Sequence, residues 1–233
     1  MENGKNVTIL IPTLNEAGNV KALLSELSSR YPAANVIVSD DGSTDGTRQI
    51  VSSLAKRRRA VMLLDRKDSR VHGLTASVLD AAKAARTEFI VVMDGDLQHP
   101  PESVAEIIGE LRKGAAVAVG CRRCVAGWAP HRKAMSLGAM ALGKSVLAMR
   151  GSASCSDVMS GFFGVRRKLL VDRFRTRPAA FELRGYKVLL DLLKLLPGST
   201  MVAEIPYDFG LRKTGRSKIG VSHIAAYVRS LAR

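Results

Sequence analysis

Three observations predict an α/β fold built on a doubly wound, mostly parallel sheet flanked by helices. Short β-rich runs alternate with helix-periodic stretches over the first half of the chain, joined by short connections. The run Phe89 to Met93 is apolar at every position, as strands covered on both faces are. Carboxylates then gather directly behind the strand runs, where open α/β sheets present their ligands.

The elements follow in order. Val7 to Ile11 is a strand closed by Pro12-Thr13-Leu14-Asn15-Glu16, and Ala17 to Arg30 places Val20, Leu23, Leu24 and Leu27 at helical spacing. Val36 to Val38 is a second strand with the exit loop Ser39 to Thr47. Its helix turns Ile50, Val51 and Leu54 inward and ends in the basic run Lys56 to Arg59. Val61 to Leu64 is the third strand, Arg66 to His72 a charged loop, and Leu74 to Ala85 a helix leading to Phe89. Glu102 to Lys113 reads as a helix and Ala115 to Val119 as a strand. Beyond them, Arg132 to Met149 is a helix, Phe162 to Val165 a strand, Phe181 to Leu196 a helix and Met201 to Pro206 the last strand. Neither a Gly-x-Gly-x-x-Gly after the first strand nor a Walker-type Gly-Lys-Thr is present, which removes the dinucleotide and P-loop signatures.

Composition narrows the partners. A chain of 233 residues with 46% hydrophobic and 24% charged residues can bury one substantial core. Its 36 Lys and Arg against 21 Asp and Glu give a net charge of +15, which points to an anionic partner. Aromatics are only 5% and are not interleaved with basic residues, so nucleic acid ranks below a membrane surface or a phosphorylated substrate. Cys121, Cys124 and Cys155 are an odd set with no secretion signal ahead of them, which suits a reducing compartment, and no second half of a zinc site accompanies Cys121 and Cys124. No apolar run is long enough to span a bilayer.

The chemistry centres on Asp94-Gly95-Asp96-Leu97-Gln98-His99-Pro100-Pro101. Two carboxylates one residue apart at a strand exit can face a single hard cation, with Gly95 letting the chain bend and the Gln98 amide adding a neutral oxygen. A bare Asp-x-Asp is usually an acidic turn; the strand before it and Gln and Pro-Pro behind it favour Mg²⁺ or Mn²⁺. With Glu16, Asp40 and Asp41 at two other exits, five carboxylates meet on one sheet edge. Such a cluster needs cations or hydrogen-bond donors, and a nucleoside diphosphate with its metal supplies both. His99 reads as a residue that caps or packs the turn rather than a catalyst, and Trp128 equally as a membrane-interface anchor or a packed loop residue.

Ile11-Pro12-Thr13-Leu14-Asn15-Glu16, Asp40-Asp41-Gly42-Ser43-Thr44-Asp45-Gly46-Thr47 and Asp94 to Pro101, in this order, resemble the inverting family-two glycosyltransferases with a GT-A fold. Val119 to Arg122, Ser156 to Phe163, Gly185-Tyr186-Lys187 and Phe209 to Arg212 through Gly215 to Lys218 are similar to the polyprenyl- or dolichyl-phosphate mannosyltransferases. The resemblance runs from about Val7 to about Lys218. It implies that Pro12, Thr13, Glu16 and Asp41, with Asp94 and Asp96, hold the nucleotide sugar. It also implies that Asp94, Asp96 and Gln98 hold the divalent metal, and that Arg122, Arg132, Arg212 and Lys218 meet the acceptor phosphate. Ser39 stands where the family often has an Asp, and Leu14 replaces a frequent Tyr.

The activity so implied is transfer of mannose from GDP-mannose to a polyprenyl (dolichyl) phosphate with inversion. The alternatives are a UDP-glucose-dependent glucosyltransferase of the same acceptor, or a family-two transferase acting on a sugar hydroxyl. Residues 1–210 are expected to be the catalytic domain, and 211–233 a basic acceptor loop with a C-terminal helix. In that helix Val221, Ile224, Ala225, Val228 and Leu231 recur at helical spacing among basic residues, which suits either a membrane surface or an ordinary packed helix. Met135, Leu142 and Met149 form a second apolar stripe. The expected location is the cytoplasmic face of a membrane, held peripherally or as the soluble part of a membrane-associated enzyme.

Overall fold

The computed structural model describes residues 2–125, 130–210 and 221–233; for 124, 125, 130–132, 221 and 222 only the backbone is described. Among the described residues, seven strands form one sheet: β1 (Val7–Thr13), β2 (Asn35–Asp40), β3 (Val61–Asp65), β4 (Phe89–Val92), β5 (Val117–Val125), β6 (Phe163–Arg166) and β7 (Val202–Phe209). Their spatial order is β3-β2-β1-β4-β6-β5-β7. β1 pairs in parallel with β2 and β4, β2 with β3, and β5 with β7. β6 alone runs antiparallel, between β4 and β5.

That reversal matters for the site. In register, Phe163 lies opposite Val92 of β4 and Val119 of β5. The segment that enters β6 therefore lies on the edge where its two neighbours end. Residues Asp157 to Phe162 are delivered to the carboxylate edge by the start of a strand, a placement that reading for strand exits alone does not reveal.

Helices cover both faces: α1 (Ala17–Arg30), α2 (Thr47–Arg57), α3 (Leu74–Ala84), α4 (Val104–Arg112), α5 (Pro130–Met149), α6 (Arg167–Thr176), α7 (Val188–Leu193) and α8 (Val221–Ala232). The two-residue period of β1 sends Val7, Ile9 and Ile11 to one core with Val20, Leu23, Leu24 and Leu27 of α1. Leu10 goes to the opposite core, with Val78 and Leu79 of α3 and Leu189 and Leu190 of α7. Each fully buried Leu or Ile contributes about 1.5–3 kcal/mol, so the double-sided cover of β1 and β4 anchors the strands that carry the site.

Three expectations change in the second half. The long helix over Phe181 to Leu196 is a short 3-10 turn, Pro178–Ala180, then a non-helical stretch and the short α7. The chain turns where Gly185 N–H donates to Glu182 O at 2.8 Å. α6 has no counterpart in the sequence reading, because of its ten residues only Leu170 is buried and the rest give little apolar period. In α8 the buried residues are Ala226, Tyr227, Ser230 and Leu231, while Ile224, Ala225 and Val228 face outward. Leu231 thus lies on the domain-facing side, not on the stripe with Ile224 and Val228.

α8 is packed on the domain by polar as well as apolar contacts. Tyr227 donates to Ala139 O of α5 at 2.5 Å, Ser230 Oγ donates to Asp191 Oδ1 at 2.6 Å, and Lys194 Nζ donates to Ser230 O. Arg229 and Arg233 pair with Glu182 at 3.3 and 3.0 Å. These two arginines are engaged by the domain.

Candidate active site

The exits of β1 and β2 form a closed hydrogen-bonded unit. Asp40 is fully buried and accepts from Thr13 Oγ1 at 2.9 Å, Ser43 Oγ at 2.6 Å, Ser43 N–H at 2.7 Å and Gly42 N–H at 3.2 Å. This carboxylate organises its loop and is not offered to a ligand, so four of the five edge carboxylates remain for one. Asp45 does the same one turn on, accepting from Thr47 Oγ1 at 2.5 Å and from Ala17 N–H at 3.0 Å.

Asp41 stands at the rim. Its Oδ1 accepts from Arg66 Nη1 and lies 3.0 Å from His72 Nδ1, and its Oδ2 accepts from Gly73 N–H at 2.7 Å. A carboxylate offers about four lone-pair sites, so roughly one remains for a further donor. Arg66 was hidden in sequence as one charge in a polar loop, yet it is buried and ties Asp41 to Asp80 at 3.0 Å, Ser77 Oγ at 2.8 Å and Val71 O at 2.7 Å. Pro12 is half-buried and Thr13 buried at the end of β1; Glu16 follows, with Oε2 accepting from Asn19 Nδ2 at 2.9 Å.

β4 delivers Asp94 and Asp96 beside this unit. A Cβ on Gly95 would stand 3.2 Å from Thr13 Cγ2 and 3.5 Å from Glu16 Cγ, so the glycine lets the two exits touch. The bend itself falls on Leu97, whose φ is +63°, and not on Gly95. Asp96 is buried and Oδ1 accepts from Gln98 N–H at 3.1 Å. Gln98 Nε2 donates to Gly210 O at 2.9 Å, which joins this loop to the end of β7.

His99 caps the turn, as expected. Asp94 N–H donates to its Nδ1 at 3.0 Å, which puts the ring proton on Nε2, 3.7 Å from Asp94 Oδ2. The ring is stacked on Phe162 at 5.0 Å with Tyr207 and Phe209 at its edges. Burial pushes its pKa down to about 4 against the pull of Asp96, so it is neutral at pH 7.

A divalent cation fits this turn. The donors are hard oxygens, Asp94, Asp96 and the Gln98 amide, and Asp94 keeps about a third of its side chain exposed. A Cβ at Gly161 would come within 3.4 Å of both Asp94 oxygens, so the glycine leaves space at the carboxylate. Among the described residues no group of three or more His, Cys, Asp and Glu side chains forms a metal cage.

Behind Asp94 lies an ion pair that the sequence did not reveal. Arg122 grips Asp157 with Nε to Oδ2 at 2.6 Å and Nη2 to Oδ1 at 2.8 Å. Burial acts to raise the Asp157 carboxyl, but the hydrogen bonds and charge of Arg122 outweigh it and hold the pKa below the ordinary range. One edge of the arginine fork expected to meet an acceptor phosphate, Nε with Nη2, is thus occupied from within the protein. Arg122 enters the site as an oriented charge, with its guanidinium carbon 5.8 Å from the Phe209 ring centre. Lys187 Nζ donates to Met159 O at 2.5 Å in the same segment. Tyr207 is paired in register with Arg122 and its hydroxyl is buried without a hydrogen-bond partner among the described residues. Arg132 lies in the first turn of α5, with its side chain outside the described residues; Arg212, Lys218 and Trp128 lie outside them entirely.

Cys121 and Cys155 are free and buried, and burial pushes the Cys121 thiol up to about 11 and that of Cys155 further still, which leaves both inert as nucleophiles.

Comparison with known proteins agrees with this geometry. Curated relatives include a dolichol-phosphate mannosyltransferase of Mycosarcoma maydis, 32% identical over 96% of this chain and 77% of that protein. One of Pyrococcus furiosus is 32% identical over 97% of this chain, which spans 63% of it, and one of Saccharomyces cerevisiae is 30% identical over 96% of this chain and 85% of that protein. Among solved structures, glucosyl-3-phosphoglycerate synthase of Mycobacterium tuberculosis, in complex with Mn²⁺, UDP and glucosyl-3-phosphoglycerate, superposes with a TM-score of 0.68 at 20% identity. That match covers 98% of this chain and 78% of the other. Mannosyl-3-phosphoglycerate synthase of Rubrobacter xylanophilus gives 0.65 at 16% identity, over 97% and 72% of the two chains. At these identities the two structures establish a shared GT-A fold. The family pattern named glycosyl transferase family 2 matches residues 8–174, and with it the chain belongs to glycosyl transferase family 2 and is a glycosyltransferase.

Proposed function

We propose that this glycosyltransferase moves mannose from GDP-mannose to a polyprenyl (dolichyl) phosphate with inversion, giving a β-mannosyl phosphoryl lipid. The observation that carries this reading is the meeting of two opposite charge sets at one sheet edge. Asp94 and Asp96 stand at the exit of β4, and Arg122, held by Asp157, stands behind them. The similarity to dolichol-phosphate mannosyltransferases over nearly the whole chain supports the same substrate class.

The residues divide the work. Asp41, oriented by Arg66 and Gly73 N–H, takes a nucleoside hydroxyl or base N–H with its remaining oxygen capacity, and Pro12, Thr13 and Glu16 form the wall beside it. Asp94, Asp96 and Gln98 would hold Mg²⁺ or Mn²⁺, which supplies charge neutralisation to the departing diphosphate. Arg122, Arg132, Arg212 and Lys218 draw the acceptor phosphate toward the sugar against the repulsion of two anions. A phosphate monoester with a second pKa near about 6 is mostly dianionic at neutral pH and attacks without a protein base. His99, neutral and packed, takes no proton in this scheme. Attack on the face opposite the diphosphate inverts the anomeric carbon.

The acceptor's lipid tail calls for a membrane surface, and residues 211–233 serve that approach. Among the described residues no helix is long and apolar enough to cross a membrane. Met135, Leu142 and Met149 of α5 are exposed in one stripe, and Ile224 and Val228 of the adjoining α8 are exposed as well. We assign these exposed apolar residues to the cytoplasmic leaflet and expect no nucleic-acid partner. The test is a panel of nucleotide sugars with a short isoprenyl phosphate and with the matching isoprenyl alcohol, following release of nucleoside diphosphate. Turnover is expected only with GDP-mannose and the phosphate; efficient transfer to the alcohol overturns the acceptor, and preference for UDP-glucose overturns the donor.

A further inference from the structure

Lys187 is a cation for which the protein itself supplies little. Its Nζ donates to Met159 O at 2.5 Å and lies 4.5 Å from the centre of the Tyr186 ring. Among the described residues no carboxylate forms an ion pair with it, whereas Arg122 in the same cluster has both oxygens of Asp157. Burial and the neighbouring charge of Arg122 push the ammonium down to about 8, against the more distant pull of Asp157 and Asp94. A half-buried ammonium with one carbonyl acceptor, an aromatic face and no carboxylate in direct contact among the described residues has N–H groups to offer a ligand.

Its position says which ligand compensates it. The turn Glu182–Lys187 rests on the nucleoside side: Thr75 N–H and Ala76 N–H donate to Gly185 O and Leu183 O, and a Cβ at Gly73 would stand 2.5 Å from Leu183 O. Gly73 is the residue whose N–H holds Asp41. On the other side, the carbonyl that receives Lys187 belongs to Met159, two residues before Gly161, which packs against both oxygens of Asp94. Lys187 therefore bridges the segment that holds Asp41 and the segment that backs Asp94, between the nucleoside and the metal turn. The anions brought there by the reaction are phosphates.

We propose that Lys187 is a substrate-binding residue whose ammonium receives a phosphate oxygen, either of the donor's diphosphate or of the acceptor's phosphate monoester. The proposal rests on the reading above for which phosphates are present, and its test is by binding, so that it does not depend on turnover. The full chain with Lys187→Gln keeps an N–H donor for Met159 O and removes the charge; Lys187→Met removes both. GDP with Mn²⁺, and separately a short isoprenyl phosphate, are titrated calorimetrically into wild type and both variants, with thermal melting recorded alongside.

Loss of one charge-assisted hydrogen bond to phosphate corresponds to about 10- to 100-fold in affinity. Both variants are expected to show it, with Lys187→Gln melting close to wild type. Loss confined to GDP assigns the donor diphosphate, and loss confined to the isoprenyl phosphate assigns the acceptor. Lys187→Gln binding both ligands as wild type does overturns the proposal and leaves Lys187 as a strut for Met159. A wild type that binds both phosphates yet transfers no mannose refutes the proposed function and leaves this inference standing.

Discussion

The two halves of the sheet edge are built differently. On the β1–β2 side the aspartates are held by protein donors, Asp40 completely by Thr13, Gly42 and Ser43, and Asp41 in most of its capacity by Arg66, His72 and Gly73. On the β4–β5 side the groups come from distant segments and carry spare chemistry. Asp94 is partly open, Arg122 is held by Asp157 35 residues away, Lys187 reaches Met159, and the Tyr207 hydroxyl is unsatisfied among the described residues. The first region is a preset mould and the second a charge assembly drawn from distant segments. A mould loses stability when cut, and an assembly loses turnover.

Asp96→Ala tests the contrast most strongly. With Asp96 as a proposed metal ligand, its removal takes away several kcal/mol of transition-state stabilisation, so transfer should fall by at least about a thousandfold. Its melting temperature should stay close to wild type. Full activity in metal-free buffer would refute the metal turn.

Asp157→Ala strands a nearly buried guanidinium, and breaking such a pair costs about 3–5 kcal/mol. Here both readouts should fall, turnover with the short isoprenyl phosphate and stability in urea. If only stability falls, Arg122 plays no part in transfer.

Asp40→Ala should act on stability first. It leaves the Thr13, Gly42 and Ser43 donors unpaired in a buried loop and should cost about 3 kcal/mol in chemical denaturation. The neighbouring Asp41→Ala should instead weaken donor binding by about 10- to 100-fold, raising the donor KM more than it lowers turnover. An unchanged affinity for both GDP and UDP would place the base elsewhere.

His99 gives a milder, pH-dependent effect. Its folded pKa, about 4, lies below the ordinary 6.5, so the unfolded chain binds the proton more readily between these values. Its contribution is whole above pH 6.5 and is lost as pH falls toward 4, about 2 kcal/mol by pH 5. Urea melts without added metal should show this slope in wild type and a shallower one in His99→Gln.

The amino-acid pattern alone determined the repeated βα units from Val7 to Val92, the acid-bearing exits, the Asp94–Gln98 turn and the capping role of His99. These are local matters: a continuous apolar run, a helical period and a turn within a few residues leave their mark in consecutive letters. Tertiary structure decided what depends on which segments meet. The antiparallel β6 brings Asp157 to Arg122 and Met159 to Lys187, a buried Arg66 orients Asp41, and Asp40 is spent inside its own loop. The outward turn of Ile224 and Val228, with Leu231 beneath, belongs with these. Charge pairing across tens of residues has no period, and a carboxylate's role is set by how many donors reach it. Only the folded chain fixes both.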